Sequence, residues 1–117
     1  MNWLNTENLN LLERYLDLMS KRQALIASNI ANVDTPGYHT RDIDFQRELQ
    51  RAMQGGGEAT EPIVHEVTGL ITRPDGNNVS VDRESLNLAE AQLKFKTGVA
   101  LLRQEYQRVM DAIHADK

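Results

Sequence analysis

The last third of the chain carries the strongest folding constraint. Leu88, Gln92, Phe95, Val99, Leu102, Tyr106, Val109 and Ile113 recur at alternating steps of four and three. A 3.5-residue repeat held over several turns puts these side chains on one seam of a long helix that must pair with another helix. Gln92 is the polar seam position and is expected to specify register. Gly98 costs roughly 1 kcal/mol against alanine inside a helix. It marks either a close approach of a partner helix or a tolerated weak spot. The predicted helix spans 82–115, with Asp82 as its N-cap.

A partner is available at the other end of the chain. Leu11, Tyr15, Leu18, Arg22, Leu25 and Asn29 follow steps of four and three, with Leu12, Leu16, Met19, Ile26, Ile30 and Val33 beside them. This broad apolar stripe predicts a helix over 6–33, with Thr6 as its N-cap. Pro36 and Gly37 end the pattern, because proline disfavours helix at the residue before it. Residues 39–54 read as weakly helical, and Gly55-Gly56-Gly57 breaks them. Residues 55–79 read as loop with short extended pieces, and Pro74 to Asn78 as a turn.

Neither terminal helix is stable alone unless its stripe is buried. The expected fold is therefore mainly α and forms a single domain over 1–117. Two long terminal helices (6–33 and 82–115) pair as an antiparallel coiled-coil hairpin. The irregular, glycine-rich middle (34–81) contains short strands. Such a pair leaves apolar surface over, which points to further burial between subunits.

Composition excludes several function classes. Seventeen acidic residues against thirteen basic ones, with no dense basic run, argue against nucleic-acid binding. There is no cysteine, so disulfides and thiolate metal sites are excluded. Met1 to Ser20 is too polar for a cleavable signal peptide, and no apolar run approaches a membrane span. His39, His65 and His114 are far apart and fit no metal-ligand spacing. Ser28, Ser80 and Ser85 lack a nucleophile-elbow context. His65-Glu66 reads as an exposed loop pair. The glycine run is not followed by the Lys-Ser/Thr of a phosphate loop. No enzyme, cofactor, metal or small-molecule substrate is expected.

The segment joining the first helix to the middle is more informative. Asn29-Ile30-Ala31-Asn32-Val33-Asp34-Thr35-Pro36-Gly37-Tyr38 interleaves short polar side chains with aliphatic ones where a helix ends. Asn29, Asn32, Asp34 and Thr35 can satisfy free backbone groups there. Gly37 can supply positive φ, and Tyr38 can pack its ring back on the helix while its hydroxyl finds a polar partner. This stretch resembles the Ala-Asn-x-Asp-Thr-Pro-Gly-Tyr motif of flagellar rod, hook and related axial proteins. A second stretch, Gly76-Asn77-Asn78-Val79-x-Val81-Asp82-x-Glu84, is similar to the pre-helix segment of proximal rod members. The related rod protein FlgC carries a longer, proline-rich segment there. The resemblance covers 8–52 and 74–113; residues 53–73 depart from it.

That resemblance implies a structural subunit of the periplasmic rod of the bacterial flagellar basal body. It implies export without a cleavable signal peptide and helical polymerisation that transmits torque and links the basal ring and export gate to the distal rod. The implied partners are further copies of itself, FlgC, FliE and other rod subunits, the MS ring and the export gate. Residues 29, 31, 32 and 34–38 would form the joint. Leu88, Phe95, Val99, Leu102, Tyr106, Val109 and Ile113 would carry subunit packing. Phe45 and Leu49 fit an export-gate motif of the form Phe-x-x-x-aliphatic, although the same pair reads equally as one face of a helix. The stripes by themselves also permit a soluble adaptor that binds a partner helix, and another rod protein such as FlgC is the alternative within the family.

Overall fold

The computed structural model describes residues 6–55 and 61–115. The chain runs α1 (Thr6–Ala31), β1 (Arg41–Ile43), α2 (Phe45–Gln54), β2 (Val64–Glu66) and α3 (Val81–Ala115). The cap of α1 lies outside the described residues. The molecule is a rod, with extents of 68 × 26 × 17 Å. Its radius of gyration is 18.3 Å, where a compact chain of this length would have roughly 13 Å.

α1 and α3 lie side by side and antiparallel. Asn29 meets Glu84, Arg22 reaches Glu90, and Tyr15 and Leu16 lie against Gly98. Met19, Ile26 and Ala91 form the buried core of the pair, and Tyr15, Ile30, Phe45, Leu88 and Phe95 pack around them. Gly98 is buried for a steric reason. A Cβ there would stand 2.7 Å from Leu16 Cδ2 and 2.9 Å from the Tyr15 ring. Of the two readings of Gly98, close helix approach is the one observed.

The face α3 turns inward differs in part from the predicted seam. Leu88 and Phe95 pack on the core, and Val109 is buried. The positions alternating with them are Glu84, Ala91 and Gly98, all buried. Gln92, Tyr106 and Ile113 are exposed instead, while Val99 and Leu102 are half-buried. The 3.5-residue repeat supports two adjacent seams that share Leu88, Phe95, Leu102 and Val109. The one with small alternating side chains wins, because it lets the backbones approach more closely and bury more of the large ones.

The start of α3 also differs. The helix begins at Val81, and Ser80 caps it, its Oγ accepting from the Arg83 amide at 3.2 Å. Asp82 lies in the first turn, where its charge favours the helix dipole.

The middle is more regular than expected. β1 pairs antiparallel with β2, Asp42 opposite His65. β1 occupies residues the sequence pattern assigned to weak helix. α2 follows at once, because Asp44 caps it by accepting from the Arg47 amide at 3.2 Å. Gly55 closes α2, its N–H donating to Arg51 O at 2.9 Å. Gly56 and Gly57 of the predicted break lie outside the described residues.

Candidate assembly joint and helix seam

α1 ends in a run of tightening turns. The Asn32 amide bonds Ser28 O and Asn29 O, the Val33 amide bonds Ile30 O, and the Thr35 amide bonds Asn32 O. Asn32 Nδ2 reaches back to Ser28 O at 2.8 Å, and Thr35 Oγ1 donates to Asn32 Oδ1 at 3.0 Å. Proline at 36 then denies the helix a further amide.

Asn29 is the hub of the joint. It is buried, and all four of its hydrogen-bonding capacities are used. Nδ2 donates to Arg41 O at 2.9 Å and to Glu84 Oε2 at 3.1 Å. Oδ1 accepts from the Tyr38 hydroxyl at 2.9 Å and from the Arg41 amide at 3.1 Å. One side chain thus ties α1 to β1, to α3 and to the Tyr38 turn. The Arg41 guanidinium lies over the Tyr38 ring, 5.8 Å from its centroid. Glu84, the buried acid facing Asn29, receives a second hydrogen bond from Arg83 Nη1 at 2.9 Å.

Asn77 and Asn78 complete the arrangement from the far side of the sequence. Asn77 Nδ2 donates to Asn32 O and Thr35 O, both at 2.9 Å. These carbonyls belong to the turns that follow α1, and each also accepts from a backbone amide, those of Thr35 and Tyr38 respectively. Asn77 Oδ1 accepts from the Val79 amide at 2.8 Å. Asn78 Oδ1 accepts from the Thr40 amide at 2.7 Å and from Thr40 Oγ1 at 2.9 Å. Arg73 donates to Val79 O at 2.9 Å and also to Val33 O. The Gly37 amide bonds Asp75 O at 2.9 Å. Gly37 and Gly76 both have positive φ, and a Cβ on Gly76 would meet Gly37 Cα at 3.3 Å. Two turns touch back to back there.

The two sequence motifs are therefore one site, closed on itself. Asn29, Asn32, Thr35, Gly37 and Tyr38 meet Gly76, Asn77, Asn78 and Glu84, and Asn77 and Arg73 hold the buried Val79 beside them. Ala31, Asp34 and Pro36 are exposed beside them, and so is Asp82. Among the described residues no buried side-chain polar atom lacks a partner. That is the condition for a polar core to stabilise a unique geometry. Sequence reasoning missed Arg73, Thr40 and Arg41. Arg73 carries no local pattern, because the carbonyl it bonds, Val33 O in the turn after α1, lies forty residues earlier.

A second polar anchor lies between α1 and α2. Glu48 is buried and accepts from Arg51 Nη1 at 2.6 Å and from the Ile63 amide at 3.2 Å; Arg14 Nη2 stands 3.8 Å away. Phe45 meets the Tyr15 ring edge to face, with centroids 5.1 Å apart, and Lys94 lies 5.8 Å from its centroid. Phe45 and Leu49 of the Phe-x-x-x-aliphatic pattern are both half-buried.

Among the described residues no cluster of histidine and acidic side chains could hold a metal ion. No described helix is long and apolar enough to cross a membrane. What the geometry offers is a closed polar joint at one end of a long amphipathic helix pair.

Comparison with known proteins gives that geometry its class. Residues 16–39, the end of α1 and its turn, match the model of the family described as flagella basal body rod protein. The chain is 32% identical to the flagellar basal body rod protein FlgB of Escherichia coli K12, over 92% of this chain and 93% of that protein. It is 32% identical to FlgB of Salmonella typhimurium LT2, over 90% and 91% of the two chains. Against FlgB of Cereibacter sphaeroides the figures are 35% identity over 94% and 96%. The chain belongs to the flagellar basal body rod protein family. Within that family the relatives named here are all FlgB. It is a structural protein of the flagellar basal body and not an enzyme. This decides against the adaptor that the helical stripes alone permitted.

Proposed function

We propose that this chain is a proximal rod subunit in the periplasm that polymerises helically, transmits torque and links the basal ring and export gate to the distal rod. The observation that carries the reading is the pairing of a closed polar joint with a shaft whose apolar surface is left over. The joint fixes the angle at which α1, α3 and the sheet meet. Leu88, Phe95, Leu102 and Val109 hold the shaft's α1–α3 coiled-coil hairpin together, and Val99, Tyr106 and Ile113 pack against neighbouring subunits. The neighbours are further copies, FlgC, FliE and other rod subunits, with the MS ring and export gate at the proximal end.

The subunit reaches the rod without a cleavable signal peptide, as an unfolded substrate of the type III export apparatus. Phe45 and Leu49 act in that unfolded state. Support for this order comes from the folded subunit, where the Phe45 ring is engaged by Tyr15 and Lys94.

Deleting residues 108–117 in a strain lacking the native copy tests the division of labour. Export should continue, with no subunit recovered in purified basal bodies. Loss of export, or normal assembly, would refute it.

A further inference from the structure

α3 is apolar on more of its circumference than α1 can cover. Leu93 and Tyr106 stand exposed, and between them Phe95, Lys96, Val99, Ala100 and Arg103 line a shallow groove. Lys96 and Arg103 are two helical turns apart, about 10 Å along the axis. The small Ala100 leaves room between their long side chains. Both are exposed, and neither meets an acid of its own subunit among the described residues. Their neighbours do: Lys94 pairs with Glu90 at 2.8 Å, and Arg108 with Glu105.

The counterpart is on α1. Glu13 is exposed and meets no base among the described residues, whereas Asp17, one turn on, is held by Arg14 and Lys21. Leu9 and Leu16 flank Glu13 on the helix surface and are half-buried. The antiparallel register supplies the height. With Asn29 opposite Glu84 and Tyr15 against Gly98, Lys96 lies level with Asp17 and Arg103 level with Asn10. Glu13 is midway between them. A neighbour displaced mainly sideways keeps that level and brings its Glu13 between the two bases.

We infer that a second copy of this chain docks laterally on α3, its Glu13 carboxylate between Lys96 and Arg103 and its Leu9 and Leu16 against Val99 and Ala100. The inference rests on the rod-subunit reading and specifies the self-contact within it. The two surfaces differ, so the contact is heterologous; it does not close a pair and leaves a free surface for the next copy.

The chain has no cysteine, which makes the test direct. Full-length Glu13→Cys and Ala100→Cys subunits are co-produced in cells lacking the native copy, and basal bodies are purified and oxidised. A disulfide-linked dimer is expected with both variants present and with neither alone. Basal bodies that contain both variants yet yield only monomer overturn the docking geometry and leave the rod reading intact. Basal bodies purified in parallel from cells that produce the wild-type subunit, if they do not contain it, refute the rod reading itself. Charge reversal is the second arm. Lys96→Glu with Arg103→Glu should lower the subunit recovered in basal bodies about tenfold, and adding Glu13→Lys should restore it. Unchanged recovery of the double variant, with its circular dichroism matching wild type, overturns the inference.

Discussion

The two ends of the helix pair are built on opposite principles. At the joint, α1 and α3 are held by buried amides and a buried carboxylate, with Asn29, Thr40, Asn77, Asn78 and Glu84 inside and fully partnered. At the far end the same two helices leave Leu101, Tyr106, Met110 and Ile113 between 41% and 49% exposed. Hydrogen bonds are directional, so the joint specifies one geometry. Apolar contact is not, so the far end can accept whatever surface covers it. A subunit that must hold its own shape and also join others has reason to separate the two.

That contrast can be broken most severely at its hub. Asn29→Leu keeps size but takes the Asn29 partner from Glu84 Oε2, the Tyr38 hydroxyl and the Arg41 backbone groups, and should cost about 3–5 kcal/mol. Urea unfolding of the purified subunit measures it, and a loss under about 1 kcal/mol would show that the hub is dispensable. Leu18→Ala, at a fully buried site on α1, should cost about 2–5 kcal/mol in the same assay. Gly98→Val tests the close approach: with Leu16 and Tyr15 under 3 Å from any Cβ, overpacking should cost about 1–3 kcal/mol.

Tyr106→Ala sharpens the comparison from the other side. In the isolated subunit it should change stability by less than about 0.5 kcal/mol, as for other exposed sites, yet reduce incorporation into basal bodies. Destabilisation of the free subunit by several kcal/mol would place Tyr106 in the subunit's own core. The smallest effect is electrostatic. A hydrogen bond from Lys94, then the charges of Lys94 and Arg22, hold the Glu90 carboxyl below its ordinary 4.5. A depressed folded value stabilises the fold above 4.5 and is lost as pH falls through the lower folded value. Glu90 is half exposed, so Glu90→Gln should cost only about 0.3–0.5 kcal/mol near neutral pH. The gap from wild type should close in acid; a gap that persists there would mean the pair is not its source.

Much of this was legible in the sequence, and the limits are instructive. Both long helices were visible because apolar periodicity is a local property of the chain. The Asn29–Tyr38 stretch and the Pro74–Asn78 turn stood out because helix ends, turns and positive φ demand particular residue types, whereas the longer Gly76–Glu84 stretch was marked by its resemblance to rod proteins. β1 was missed because three residues are too few to show a period against the helical pattern around them. The inward face of α3 was misjudged in part because a 3.5-residue repeat of large side chains fits two adjacent seams equally well. Only the identity of the helix opposite decides between them.

The sequence by itself determined that two long amphipathic helices flank a polar bend and that the bend resembles those of flagellar axial proteins. Tertiary structure alone decided that the two polar stretches are halves of one network and that Arg73 and Asn77 hold the turn after α1 from across the fold. It also decided that Ala91 and Gly98, not Gln92 and Val99, face α1. The reason is physical: periodicity and capping act between neighbours in the chain, whereas backbone approach and the closing of hydrogen bonds depend on which distant segment arrives.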